Sequence, residues 1–375
     1  MYQRDIFAML PPLRIPIYQP DIGSKEKAYV NQCLDSTWIS SKGEFIERFQ
    51  AGFAGYIGAP QALAVSNGTV ALHLALATLG LGAGDEVIVP SLTYISPVNA
   101  IRYVGATPVF ADSDPVTWQV NVDDVAARIT PRTRAIIVVH LYGQACDMVA
   151  LAALASAHGL LLIEDCAEAL GTRIGGRHVG TFGDIATFSF FGNKTITTGE
   201  GGMVVARGAA HQKLALKLRG QGLADDREYW HDVVGFNFRM TNICAAIGLA
   251  QLERAEDFIA RKRLLAEAYT RELQGLPLVL QAEVAGTTHS FWMCSLLTND
   301  PEQRDPLRRA LREQGIETRP FFHPVHTMPM YAQGQTGLTV AVDLGARGIN
   351  LPSWPGLGEE GVQTVCAAIR AHFQG

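Results

Sequence analysis

"RAIIVVHLYGQACDMVALAALASAHGLLLIEDCA" occupies residues 134–167. "RAIIVVHLYG" (134–143) is an apolar run of strand length. "MVALAALASAHG" (148–159) carries helical spacing and ends on a glycine, the residue that suits a helix terminus. "LLLIEDCA" (160–167) is a second apolar run, broken by two acids. Strands without polar alternation are covered on both faces, and apolar strands alternating with helices predict a parallel-dominated sheet.

The same alternation extends in both directions. Upstream, "ALAV" (62–65) leads through "SNGT" into the helix "VALHLALATLG". "DEVIVP" (85–90) leads into "TYISPVNAIRYVG", a helix with Pro97 in its first turn. "TPVFAD" (107–112) precedes the helix "VDDVAARI". Downstream, "IATFSFF" and "GGMVVA" read as strands on either side of a loop that contains Lys194. From Met240 to about Leu273 the pattern is one long helix, with a kink left open. A smaller α+β portion follows, with "SFWMCSLLTN" as a strand and "DPLRRALREQG" and "EEGVQTVCAAIRAHF" as helices. The expected class is α/β, with a large domain over 1–250 that includes a Pro-rich lead-in, and a smaller α+β domain over 251–375.

Composition narrows the functions. The 375 residues carry a net charge of −5, with 48% hydrophobic and 18% charged residues. No basic patch suggests nucleic acid and no polybasic run suggests a membrane surface. No segment has the length of a membrane span, and the N-terminal twenty residues lack the apolar centre of a signal peptide. The six cysteines form no C-x-x-C pair, so neither a zinc site nor a redox motif is expected, and a reducing cytoplasm fits.

Ligands of open α/β sheets bind beyond the carboxyl ends of the strands. Ser66-Asn67-Gly68-Thr69 stands at one such end and opens a helix, where free backbone N–H groups attract an anion; an ordinary N-cap is the alternative. Tyr94 offers an aromatic plane near the same edge, or plain packing. Asp165 follows an apolar run and must meet solvent, cap a helix or pair with a cation. "FSFFGNKTITTGEGGMVV" (188–205) places Lys194 in an apolar, glycine-rich stretch. A P-loop is excluded, because Asn193 separates Gly192 from the lysine. A lysine in such a stretch is either a plain loop residue or a desolvated nucleophile for a carbonyl. An anion-binding turn, an aromatic plane, a carboxylate, Ser189 and a nucleophilic lysine are the parts that pyridoxal phosphate requires.

"SNGTVALHLAL", "GDEVIVPSLTYISPVNAI", "IEDCAEALG", "FSFFGNKTITTGEGGMV" and "GFNFRMTNICAAIGLAQLE" together resemble the DegT/DnrJ/StrS family of sugar-nucleotide aminotransferases, over about residues 20 to 355. The resemblance implies the aspartate-aminotransferase fold (fold type I), pyridoxal 5'-phosphate with its pyridoxamine form, and a homodimer with shared active sites. It implies that Lys194 condenses with the cofactor aldehyde and that Asp165 pairs with the pyridine nitrogen. Glu168, where many relatives have Gln, would lie by the ring hydroxyl, and Tyr94 would stack on the ring. Gly68, Thr69 and Ser189 match phosphate contacts, and Asn237 matches an asparagine that reaches the partner's phosphate. A branch with His at the lysine position removes a hydroxyl instead; this chain has Lys. "LRGQG" through "MTNICAAIGLAQLE" further implies a GDP-linked keto sugar, GDP-4-keto-6-deoxymannose, aminated at carbon 4 with L-glutamate as donor. UDP- and dTDP-linked keto sugars remain open, as does a non-catalytic cofactor-binding regulator. Arg219, Arg239 and Arg319 are candidates to neutralise a diphosphate. His323 and His326, in "ETRPFFHPVHTMPMY" (317–331), are pocket residues or structural ones.

Overall fold

The computed structural model describes residues 11–332 and 334–374. The first ten residues of the Pro-rich lead-in lie outside the described residues. Nine strands are laid down in the first part of the chain: β1 (Leu63–Val65), β2 (Glu86–Pro90), β3 (Thr107–Ala111), β4 (Thr133–Val139), β5 (Leu161–Asp165), β6 (Arg173–Ile174), β7 (Arg177–His178), β8 (Ile185–Ser189) and β9 (Gly202–Ala206). Seven of them form the main sheet in the order β1-β9-β8-β5-β4-β2-β3. The β2–β3, β2–β4, β4–β5 and β5–β8 pairs are parallel, and β9 runs antiparallel to both neighbours. The carboxyl ends of β1, β2, β4, β5 and β8 therefore share one edge.

Alternation along the strands feeds two apolar layers. Met203 and Val205 of β9 pack with Phe45, Phe49 and Phe53 of the helix Glu44–Ile57. Val204 and Ala206 pack on the other face with Leu72 and Ala75 of the helix Gly68–Thr78. Phe53 meets Phe188 edge-on at 4.9 Å, a favoured geometry for aromatic pairs. A second sheet follows, built from β10 (Leu278–Leu280), β12 (Cys294–Thr298), β13 (Arg319–Pro320) and β14 (Gly348–Leu351), in the order β10-β12-β14-β13. The short β11 (Thr287–Thr288) joins β6 and β7 instead. The helices Ala255–Glu272 and Gly358–Gln374 cover the second sheet through Leu265, Tyr269, Val365 and Ile369.

Three elements differ from the expectation. The long helix is two, Asn242–Leu252 and Ala255–Glu272. The break falls where Glu253 accepts bonds from Lys25 and Tyr29, and Arg254 pairs with Asp21 and Glu26. The strand expected over 134–143 stops at Val139, because the Tyr142 amide turns aside to donate to Glu168. "SFWMCSLLTN" is a strand only from Cys294; Trp292, ahead of it, reaches instead to the Lys194 loop.

Lys262 is fully buried with no ion pair to a carboxylate among the described residues, and its ammonium donates to the Ser353 carbonyl. Burial lowers its pKa to about 8. Between pH 8 and the ordinary lysine value the unfolded chain binds more protons than the folded one, so stability rises with pH there. The penalty is full below pH 8, up to roughly 3 kcal/mol. Lys262→Met is expected to flatten that rise. Chemical denaturation of both proteins from pH 7 to 10.5 checks it.

Candidate active site

Asp165 is the last residue of β5 and Ser189 the last of β8, so both side chains stand at the carboxyl edge of the sheet. β1 delivers the chain to Asn67, whose side chain caps the next helix by accepting from Val70. No hydrogen bond is made by the amides of Gly68 and Thr69 among the described residues, so they remain free at the helix N-terminus. Glycine is required for that approach: a Cβ at Gly68 would lie 2.8 Å from Ser189 Cβ. Gly202 is equally constrained, since a Cβ there would stand 2.6 Å from the Asn67 carbonyl.

These groups open on one cavity of about 600 Å³. Gly68, Thr69, Tyr94, Asp165, Glu168, Ser189 and Lys194 all line it. Asp165 is 3% exposed, and among the described residues its carboxylate takes one hydrogen bond, from the Ala167 amide at 3.0 Å. Burial raises its pKa, while the Ala167 amide, Lys194 and His140 pull it down. Glu168 Oε2 accepts from the Tyr142 amide at 2.8 Å, and Oε1 lies 3.8 Å from Lys194 Nζ. Burial lifts Glu168 to about 7, opposed by Lys194 and the Tyr142 amide. Burial pushes the Lys194 pKa down, and the Glu168 and Asp165 carboxylates push it up. The net downward shift makes the neutral, nucleophilic amine more accessible than on a surface lysine.

Under the floor, His140 Nε2 stands 3.3 Å from Glu164 Oε2, with Cys166 close by. These atoms have the proximity of a metal site, but His140 and Glu164 are engaged in hydrogen bonds. His140 Nδ1 accepts from Cys146, and the Glu164 oxygens accept from Gly180, Phe182 and Gly183. The cluster supports the strand end that carries Asp165.

The remaining sequence candidates lie outside the cavity lining. Arg219 donates to Gln50 and to the Ala64 carbonyl, and burial, with Arg239 adjacent, lowers its pKa to about 10. Arg239 leaves Nε without a partner among the described residues. Arg319 pairs with Glu317 at 2.6 Å. His323 is exposed, and His326 Nδ1 is 2.6 Å from Ser91 Oγ. Asn237 is exposed and bridges to Gly220 within the 219–239 segment. Sequence reasoning missed Ser96, Trp292 and Phe322, which line the cavity. Ser96 is 2.9 Å from Thr69 Oγ1, and the Phe322 ring is 5.6 Å from that of Tyr94. Phe322 sits in the 317–331 segment that the sequence offers for the pocket; Trp292 falls in a stretch with the pattern of a strand.

A sequence model of the DegT/DnrJ/EryC1/StrS aminotransferase family matches residues 20–370. The chain belongs to that family. It is 57% identical over 359 residues to a GDP-perosamine synthase of Escherichia coli O157:H7, covering 96% of this chain and 98% of the relative. It is 50% identical to a GDP-perosamine synthase of Vibrio cholerae, covering 96% and 99%. S. venezuelae DesV, solved in complex with a ketimine intermediate, superposes with a TM-score of 0.90 at 35% identity, covering 96% of this chain and 98% of that one. The chain is thus a pyridoxal phosphate-dependent sugar aminotransferase with the aminotransferase fold.

The cavity fits the cofactor's chemistry. It offers two free helix amides with hydroxyls for a phosphate, a carboxylate with an unpaired oxygen for a pyridinium nitrogen, and a lysine amine for an aldehyde. Replacing Glu168 by Gln removes the nearer negative charge, so the Lys194 pKa is expected to fall further in the cofactor-free protein. The pH midpoint for acetylation of Lys194 by acetic anhydride, which releases acetate, checks the sign when read by peptide mass.

Proposed function

We propose that the enzyme moves an amino group from L-glutamate to carbon 4 of GDP-4-keto-6-deoxymannose. The substrate class is a nucleotide-linked sugar, and its GDP form is supported by the GDP-perosamine synthase relatives at 57% and 50% identity. The observation that carries the chemistry is the meeting of Lys194, Asp165 and the free helix N-terminus in one cavity. The bound cofactor supplies an aldehyde that accepts an amine and a ring that accepts electrons. The Gly68 and Thr69 amides with Ser189 would hold its phosphate. Asp165 would keep the pyridine nitrogen protonated, and Tyr94 would offer its ring to the cofactor's. With the cofactor bound, Lys194 Nζ, whose pKa burial lowers, would take a proton from one carbon and return it to another, a positioned transfer that contributes typically about 10²–10⁴-fold. Glu168 and Asp165 stabilise the ammonium that results.

Two chains assemble around shared sites in this reading. Asn237 rides on a segment whose Tyr229 and Val234 are 86% and 91% exposed, which supports a protein partner there. Mixed dimers of Lys194→Ala and Asn237→Ala chains are then expected to regain activity, because one of their two sites is intact.

The test of the substrate is a parallel assay of GDP-, UDP- and dTDP-linked 4-keto sugars with glutamate, following product mass and glutamate loss. GDP-4-keto-6-deoxymannose is expected to react far faster, because a site that hydrogen-bonds one base discriminates strongly against others. Equal or faster turnover of a UDP or dTDP sugar contradicts the GDP assignment and leaves the aminotransferase.

A further inference from the structure

The loop that carries Lys194 is not secured by the main sheet alone. The Lys194 amide donates to Phe191 within the loop, at 2.9 Å. Its outward carbonyls are taken by two aromatic side chains remote in sequence. Trp292 Nε1 donates to the Asn193 carbonyl at 2.8 Å, and the Tyr18 hydroxyl donates to the Lys194 carbonyl at 2.6 Å. The Trp292 ring also lies over the amine, with Lys194 Nζ 3.9 Å from its centroid.

Both aromatics are themselves held by the later part of the chain. Trp292 is 4% exposed, stacks on Tyr142 at 6.2 Å, and precedes β12 of the second sheet. Tyr142 in turn donates its amide to Glu168. A closed ring results: Lys194, Glu168, Tyr142, Trp292 and back to Lys194. Tyr18 sits on a strap pinned at Ile15 and Ile17. The Ile15 carbonyl accepts from the Glu317 amide, and the Ile17 amide donates to the Glu317 carboxylate. The Lys262 ammonium stands 5.3 Å from the centre of the Tyr18 ring. Burial, and then Asp21, raise the Tyr18 pKa, so the phenol remains a donor across the working pH range.

We propose that Tyr18 and Trp292 are positioning residues that clamp the Asn193 and Lys194 carbonyls and so hold the lysine amine in its reactive place. The inference rests on Lys194 being the reacting amine. It explains why a tryptophan and a tyrosine with no direct proton-transfer role are placed at the lysine. Reaction rates fall steeply when a reacting group is misplaced by about an ångström, so the cost of a loose clamp appears in kcat rather than in binding.

The test uses Tyr18→Phe, Trp292→Phe and the double variant. Each keeps a ring and removes one donor. Each single variant is expected to lower kcat by roughly 3- to 10-fold, the effect of one lost hydrogen bond, with KM for both substrates within about twofold. The two losses are expected to combine less than additively, because the carbonyls are adjacent in one loop. Hydrogen exchange in the cofactor-free proteins supplies a reading independent of turnover. Amides in residues 191–197 are expected to exchange faster in each variant, while the rest of the chain and the melting temperature stay close to those of the parent. Unchanged exchange in that peptide overturns the proposal, whatever happens to kcat. Faster exchange spread evenly over the chain, with a lower melting temperature, also overturns it and marks the two residues as general packing. An error in the role of Lys194 shows differently, as turnover that survives Lys194→Ala while the clamp still governs exchange.

Discussion

Lys194→Ala is expected to abolish turnover while the chain folds and still binds pyridoxal phosphate non-covalently. The amine is the one lysine amine lining the cavity among the described residues, 3.8 Å from Glu168 and under the Trp292 ring. In the roles proposed for Lys194, truncation would remove both the bond to the cofactor and the positioned base, and the base alone is worth typically about 10²–10⁴-fold. The fold should tolerate the change. Removing a largely buried amine relieves a desolvation cost, although it leaves the Glu168 carboxylate without the Lys194 cation beside it. The measurements are turnover, cofactor affinity by equilibrium dialysis, and melting temperature. Turnover near that of the parent refutes the assignment.

Asp165→Ala is expected to lower activity by at least roughly 10- to 100-fold, the range that follows from losing one charge-assisted hydrogen bond of about 1.5–3 kcal/mol. Asp165→Asn separates function from folding. It keeps an acceptor for the Ala167 amide and removes a buried charge whose pKa is raised chiefly by burial. A raised folded pKa means that the ionised carboxylate costs stability at pH values above it and nothing below the unfolded pKa. The cofactor-free Asn variant is therefore expected to melt at the same or a higher temperature at neutral pH, with activity still low. Retention of activity by Asp165→Asn contradicts the pyridinium pairing. A fall in both melting temperature and activity marks the aspartate as structural.

Much of the fold was legible because burial on both faces leaves a pattern that local sequence carries. Runs such as Ala135–Val139 and Leu161–Ile163 have no polar alternation, and the glycine after His158 marks a helix end. The carboxyl-edge rule then pointed to Asp165, Ser189 and the Gly68 turn without any knowledge of contacts. The boundaries were less legible. β4 ends at Val139 because Glu168, 26 residues beyond Tyr142, accepts its amide. The break at Glu253–Arg254 depends on Asp21, Lys25, Glu26 and Tyr29, more than 220 residues earlier.

Long-range partners account for the missed site residues as well. Trp292 meets the Asn193 carbonyl 99 positions away, and no period or motif announces that meeting. The arginines illustrate the converse. Arg219 is a diphosphate candidate from its residue type alone; that its Nη1 donates to Gln50 and Ala64 while its Nε finds no partner among the described residues is visible only in the packed structure.

The most direct test of the central claim is the position of the cofactor's covalent bond. The protein loaded with pyridoxal phosphate is reduced with borohydride, digested, and its peptides weighed. A pyridoxyl group is expected on the peptide that contains Lys194 and on no other, and to be lost in Lys194→Ala. A label on Lys262, on any surface lysine, or on none would contradict the site.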